Sequence, residues 1–120
     1  MAEIPKDNPR LAALIRDLRA LARESSAPIW RDVADRLERP RRNWAEVNLS
    51  RIARYARAKE TVVVPGIVLA SGSLSFPVTV GTVRASTSAR RKIEAAGGRV
   101  VGLVDLARIN PKGSRVRILG

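Results

Sequence analysis

The 120-residue chain has no cysteine and no histidine, and its aromatic complement is two Trp, one Tyr and one Phe. Each absence excludes a kind of chemistry. Without cysteine there are no disulfides and no thiolate metal sites, which fits a reducing compartment, here the cytoplasm. Without histidine the most frequent general base and the most frequent metal ligand are both missing. Ser71, Ser73 and Ser75 have no histidine to activate them and no Gly-x-Ser-x-Gly elbow around them, so they read as turn residues. Gly66, Gly72 and Gly81 form no Gly-x-Gly-x-x-Gly fingerprint, and no Gly-Lys-Ser/Thr follows a strand. No apolar run reaches about 18 residues and the first residues are polar and charged, so neither a membrane span nor a secretory signal is expected. The chain is therefore expected to be no enzyme, with no metal, no cofactor, no membrane and no small-molecule substrate.

Acidic side chains are scarce in one part of the chain only. Residues 1–38 carry seven basic and seven acidic residues, whereas residues 39–120 carry 16 Lys+Arg against Glu46, Glu60, Glu94 and Asp105, which accounts for the whole net charge of +12. A surface so positive repels itself unless a polyanion neutralises it, and phosphate backbone is the commonest such partner. Only four of the 23 basic residues are lysine. Arginine grips phosphate with two bonds and stacks on bases, although genome composition or a thermophilic host also raises the arginine share. The hydrophobic fraction of 45% is enough for a folded core, built of Leu, Ile, Val and Ala.

Along the chain, Asn8 can cap a helix that begins at Pro9 and repeats Leu11, Leu14, Ile15, Leu18, Leu21 and Ala22 at helical spacing. Residues 25–28 break it. A second helix places Trp30, Val33, Ala34 and Leu37 on one stripe before Pro40 stops it, and the two predict a hairpin. Arg16, Arg19 and Arg23 have acids at helical spacing and read as a solvated face. From Arg39 to Lys59 nothing but Glu46 opposes the positive charge. Val47-Asn48-Leu49 reads as extended, with Asn48 or Ser50 capping a brief helix through Ile52, Ala53 and Ala56. Trp44, inside this segment, could stack on a base, but a Trp at a helix boundary is more often core or hinge.

After Thr61 the pattern turns to strand: Thr61–Val64, a break at Pro65-Gly66, Ile67–Leu69, a Gly72-Ser73 turn, then Val78–Val83. A helix over residues 88–96 is closed by Gly97-Gly98. Arg99–Val101 reads as extended, Asp105–Ile109 as a short helix ended by Asn110-Pro111, and Val116–Ile118 as extended. The expected architecture is α/β: an N-terminal helical hairpin (residues 1–39) followed by a basic core of irregular stacked ββα-type turns (residues 40–120).

Several pieces then recur in a known order: Asn8-Pro9 with Leu11, Trp30, Leu37-x-x-Pro40-Arg41-Arg42, Val47-Asn48, Val62-Val63-Val64-Pro65-Gly66, Ser88-Ala89-x3-Ile93-x2-Ala96-Gly97-Gly98, and Asn110-Pro111-x-Gly113. In order and spacing the chain resembles the archaeal and eukaryotic large-subunit ribosomal proteins of the eighteen-e type, over nearly its whole length. The resemblance implies a structural protein of the large ribosomal subunit that binds its ribosomal RNA. It also implies a C-terminal fold shared with the bacterial family numbered fifteen. Members commonly have Lys after the Pro-Gly, where this chain has Ile67; long basic tails are missing, as in an archaeal short form; and the Gly-rich arm of the bacterial relatives is replaced by the neutral helix pair.

The residues expected to meet RNA are Arg39, Arg41, Arg42, Arg51, Arg54, Arg57 and Lys59, seconded by Arg84, Arg90, Arg91, Lys112, Arg115 and Arg117. Pro40 and Asn43 mark the Arg41-Arg42 segment as an exposed connection. Expected partners are large-subunit ribosomal RNA and, through the N-terminal helices, neighbouring ribosomal proteins; the place is the ribosome in the cytoplasm. A DNA-coating chromatin protein is the alternative, separated by preference for folded ribosomal RNA over duplex DNA. An α/β enzyme would instead need a deep pocket of convergent titratable groups.

Overall fold

A computed structural model of the chain describes residues 9–120, so Asn8 and its expected cap lie outside the described residues. In chain order the elements are α1 (Pro9–Ser25), α2 (Pro28–Leu37), a 3₁₀ turn (Arg41–Asn43), β1 (Ala45–Asn48), α3 (Leu49–Tyr55), β2 (Thr61–Leu69), β3 (Thr79–Ala85), α4 (Thr87–Ala95), β4 (Arg99–Gly102), α5 (Leu103–Ile109) and β5 (Val116–Ile118). The protein is α/β and begins with the helical pair. Contacts divide it into two units, one taking the chain up to Trp44 together with Leu103–Ser114, the other Ala45–Gly102 together with Arg115–Gly120. The change of charge after residue 38 marks composition, whereas the contacts group α5 with the first two helices.

In the first unit, α1 ends in a Schellman motif: the Ala27 N–H donates to Ala22 O at 3.0 Å and the Ser26 N–H to Arg23 O at 3.4 Å. Ser26 takes the left-handed conformation there, φ 50°. Pro28 then opens α2 at a position that needs no N–H, so two residues suffice to reverse the chain. Leu18, Trp30, Val33, Ala34, Leu37 and Leu103 are fully buried, and Leu14 and Leu21 are half-buried. The buried Trp30 indole N–H donates to the carbonyls of Asn110 and Pro111, at 3.2 and 3.1 Å, which ties α2 to the turn after α5. Gly113 lies so close to α2 that a Cβ there would stand 2.2 Å from Ile29 Cγ2.

The second unit is a parallel sheet in the order β1-β2-β3-β4, with β5 also on β2. β1 registers with Gly66–Leu69 and β5 with Thr61–Val63. Because β3 occupies the other edge of β2, β1 and β5 lie end to end along one edge. The junction between them explains Pro65-Gly66, which does not break the strand as its sequence suggests but sits inside it. Pro65 has no N–H to offer at the point where the ladder passes from one partner strand to the other. A register shift with β3 falls between Val64 and Ile67. The Gly66 carbonyl there accepts the hydroxyl of Thr82 at 3.0 Å, so this buried polar side chain is satisfied.

Three connections, α3, the loop of residues 70–78 and α4, advance across the sheet in one direction, so crossovers of one hand put them on one face. Their Leu49, Ile52, Leu74, Phe76, Ala89 and Ile93 pack there with Val62, Val64, Val68 and Val80. The loop is held from both sides: the Ser50 N–H donates to Ser71 O at 3.0 Å, and Lys92 Nζ donates to Ala70 O and Gly72 O, both at 2.9 Å. Asn48 precedes α3, but its side chain does not cap the helix; its Oδ1 accepts from the Ser71 N–H at 3.2 Å instead. α4 starts one residue before the Ser88 predicted from sequence, with Ser86 as the cap (Ala89 N to Oγ, 3.1 Å). Gly97 and Gly98 close it as a second Schellman motif.

Candidate nucleic-acid interface

Several charges of α1 and α2 pair with one another or with Glu38, just after α2. Arg19 reaches Asp35 at 3.0 Å and Glu38 at 2.8 Å, Arg36 pairs with Asp32 at 3.1 Å, and Arg16 with Asp17 at 3.6 Å. Such exposed pairs contribute about 0–1 kcal/mol each to stability. A shallow groove of about 480 Å³ runs beside them, floored by Leu11, Ala12, Ile15 and Leu37.

Beyond residue 38 the picture reverses. Of the thirteen cations predicted to meet RNA, all are exposed except Arg41, which is half-buried. Among the described residues Arg39, Arg42, Arg51, Arg54, Arg57, Lys59, Arg84, Arg90, Arg91 and Arg115 have no carboxylate within salt-bridge range. Lys112 and Arg117 are tied to other parts of the fold. Lys112 Nζ donates to Ser25 O at 2.9 Å, closing the C-terminal end of α1, and Arg117 pairs with Glu60 at 3.5 Å. The segment expected to be an open connection is thus only partly so: Arg42 stands on the 3₁₀ turn in solvent, while Arg41 leans inward. Trp44 is core, 7% exposed, and its indole N–H donates to Leu37 O and Arg39 O, each at 3.2 Å, so it finishes α2 and does not offer a stacking face.

The exposed aromatic is one the sequence reading passed over. α3 buries Leu49 and Ile52, which turns Arg51, Arg54 and Tyr55 outward. Tyr55 is 47% exposed, with the guanidinium carbons of Arg51 and Arg54 at 6.0 and 5.6 Å from its ring centroid. Tyr55, the last residue of α3, stands at i+3 from the buried Ile52, at the margin of the buried face, so helical spacing gave no clear signal of its exposure. α4 presents Arg90 and Arg91 in the same way, opposite its buried Ala89 and Ile93. Arg84 is exposed on β3 and registers with Ile67, the position where the resembling family commonly has Lys; Ile67 itself is buried.

Glu60 organises the turn before β2. Its Oε1 accepts the Arg57 N–H at 2.7 Å, and this bond, helped by the positive charge of Arg117, holds its carboxyl below the ordinary glutamate range. Among the described residues no three His, Cys, Asp or Glu side chains gather as a metal site would need, and no helix is long and apolar enough to cross a membrane.

Fold and surface together define a class: a small, strongly cationic α/β protein that displays arginines around a parallel sheet. The family described as Ribosomal protein 60S L18 and 50S L18e matches residues 2–120, and the chain belongs to it. The large ribosomal subunit protein eL18 of Halobacterium salinarum is 54% identical over 114 residues, covering 95% of this chain and 97% of that protein. The protein of the same name from Archaeoglobus fulgidus is 47% identical over 114 residues, with 95% and 97% covered. That from Methanococcus maripaludis is 43% identical over 119 residues, with 99% of each covered. The chain is accordingly a ribosomal protein of the large subunit, whose place is the ribosome in the cytoplasm.

Proposed function

We propose that this protein stabilises the large ribosomal subunit by holding large-subunit ribosomal RNA on its arginine-rich surface, with no reaction turned over. One observation carries the reading: most cations of residues 39–120 are exposed with no carboxylate within salt-bridge range, while residues 1–38 balance seven basic side chains with seven acidic ones. Arg39, Arg42, Arg51, Arg54, Arg57, Arg84, Arg90, Arg91 and Arg115 grip phosphates, joined by Arg41, Lys59, Lys112 and Arg117. Tyr55 offers an unpaired base a ring to stack on. Helices α1 and α2, in the charge-balanced part of the chain, face neighbouring ribosomal proteins. Aliphatic floor and paired charge in the groove beside α1 support that assignment.

The test is a binding titration against transcribed large-subunit ribosomal RNA across salt, with duplex DNA as competitor. Each neutralised phosphate releases condensed counterion, so log affinity should fall against log salt with a slope of about −0.7 to −0.9 per contact, and folded RNA should win over DNA. A flat salt response, or equal affinity for DNA, contradicts the reading.

A further inference from the structure

Among the described residues only three other than glycine take positive φ: Ser26, Lys59 and Arg115. Two of the three are cations, at φ 69° and 60°, and both stand just before strands that pair with each other, since Thr61 of β2 registers with Val116 of β5. Side chains are strained in this region, where glycine is not and asparagine is tolerated. Either turn would form more easily with glycine, so the turns themselves give no reason for Lys or Arg.

Their surroundings supply one. The Lys59 N–H donates to Pro77 O at 2.7 Å, which fixes Lys59 at the amino end of β3 as well as β2. Lys59 there lines a groove of about 250 Å³ with Thr79, Gly97, Gly98 and Arg99. Gly98 cannot carry a side chain, because its Cβ would stand 2.2 Å from Val78 O, so the floor between the two cations stays open. Arg99 begins β4, and the strands run in the order β5-β2-β3-β4 from this edge. Arg115, Lys59 and Arg99 therefore follow one another along the amino ends of the strands, over roughly 14 Å from three strand spacings. All three are exposed, and among the described residues none has a carboxylate within salt-bridge range. Glu60, the acid inside the row, is held by the Arg57 N–H and by Arg117.

We propose that this row is a phosphate track, on which Arg115, Lys59 and Arg99 hold successive phosphates of a single RNA strand laid across the amino ends of β5, β2, β3 and β4. It rests on the reading of the chain as an RNA-binding protein, and adds Arg99 and a direction of travel to it. The strain at Lys59 and Arg115 is kept because it presents their side chains at adjacent strand ends.

The double variant Lys59→Gly, Arg115→Gly tests it, since glycine relieves both backbones. Thermal unfolding should show a Tm at or above that of the parent. The salt slope for transcribed large-subunit ribosomal RNA should fall in magnitude by about two, one for each lost contact, and affinity at physiological salt by at least tenfold. Arg99→Gln should lower the slope by about one. Arg16→Gln with Arg23→Gln removes the same charge from α1 and should leave the slope nearly unchanged. A parent slope near zero overturns both the RNA reading and the track. A normal parent slope with equal losses in the two double variants, or no loss in the glycine variant, overturns the track alone.

Discussion

Replacing Gly66 by Ala puts a methyl group where β2 meets β1. That Cβ would lie 2.1 Å from Ala45 O and 2.9 Å from Ala45 N. Both are backbone atoms of a paired strand, and ordinary contact needs at least 3.4 Å, so β1 must retreat by more than 1 Å. The retreat strains the register from Ala45↔Gly66 to Asn48↔Leu69. Hydrogen bonds of this ladder contribute about 1 kcal/mol each, and Val47, 1% exposed, loses part of a burial that stabilises by about 1.5–3 kcal/mol. The expected loss is about 3–5 kcal/mol, or a fall in Tm of roughly 10–20 °C. Gly97→Ala is the control. Its Cβ meets nothing nearer than Pro77 Cβ at 3.6 Å, so only the positive φ of 89° opposes it, at about 1–2 kcal/mol. Denaturant unfolding of both variants by circular dichroism decides the matter. If Gly66→Ala costs no more than Gly97→Ala, the close approach of β1 is not what the glycine is for.

Leu18→Ala empties a fully buried site in α1 and should cost about 2–5 kcal/mol, measured by denaturant melts, while the RNA affinity of the still-folded variant stays within twofold of the parent. Tyr55→Ala should weaken RNA binding by about 1–3 kcal/mol, the value of a stacked base, with Tyr55→Phe unchanged; equal losses for the two, read by filter binding, would point to the hydroxyl instead. Glu60 has its folded pKa depressed, chiefly by the Arg57 N–H, so its stabilisation is present above the ordinary glutamate value of 4.5 and is lost as pH falls through the folded value. Glu60→Gln should therefore flatten the acid limb of a stability-against-pH curve and leave the neutral region less stable.

The helices were legible in the sequence because their signals are local. The Leu11 to Ala22 periodicity, Pro28, and the Gly97-Gly98 cap act within a few residues of where they stand. The sheet was less so. Ala45–Asn48 becomes a strand only because the Gly66 end of β2 accepts it, and Pro65-Gly66 reads as a break to any rule that sees one strand at a time. Long-range partners also decide the caps: Asn48 has the right side chain for α3, yet the Ser71 N–H claims it. For the candidate interface, charge counting found the exposed arginines, since charge is a sum over the sequence. It gave no warning that Lys112 serves the Ser25 carbonyl or that Arg41 turns inward, because those are matters of placement. Tyr55 was hidden by composition, a single tyrosine in a chain poor in aromatics, and by its place at i+3 from the buried Ile52, which periodicity assigns to the edge of the packed face.

In the proposed function the cations after residue 38 touch ribosomal RNA and those of α1 and α2 do not. The most direct measurement is a map, by mass spectrometry, of covalent RNA crosslinks on this protein within purified large subunits. Adducts are expected at residues 51–59, at 84–91 and around Arg115, with none between Arg16 and Arg36. Adducts concentrated on α1 and α2, with the outer faces of α3 and α4 unmodified, would contradict it.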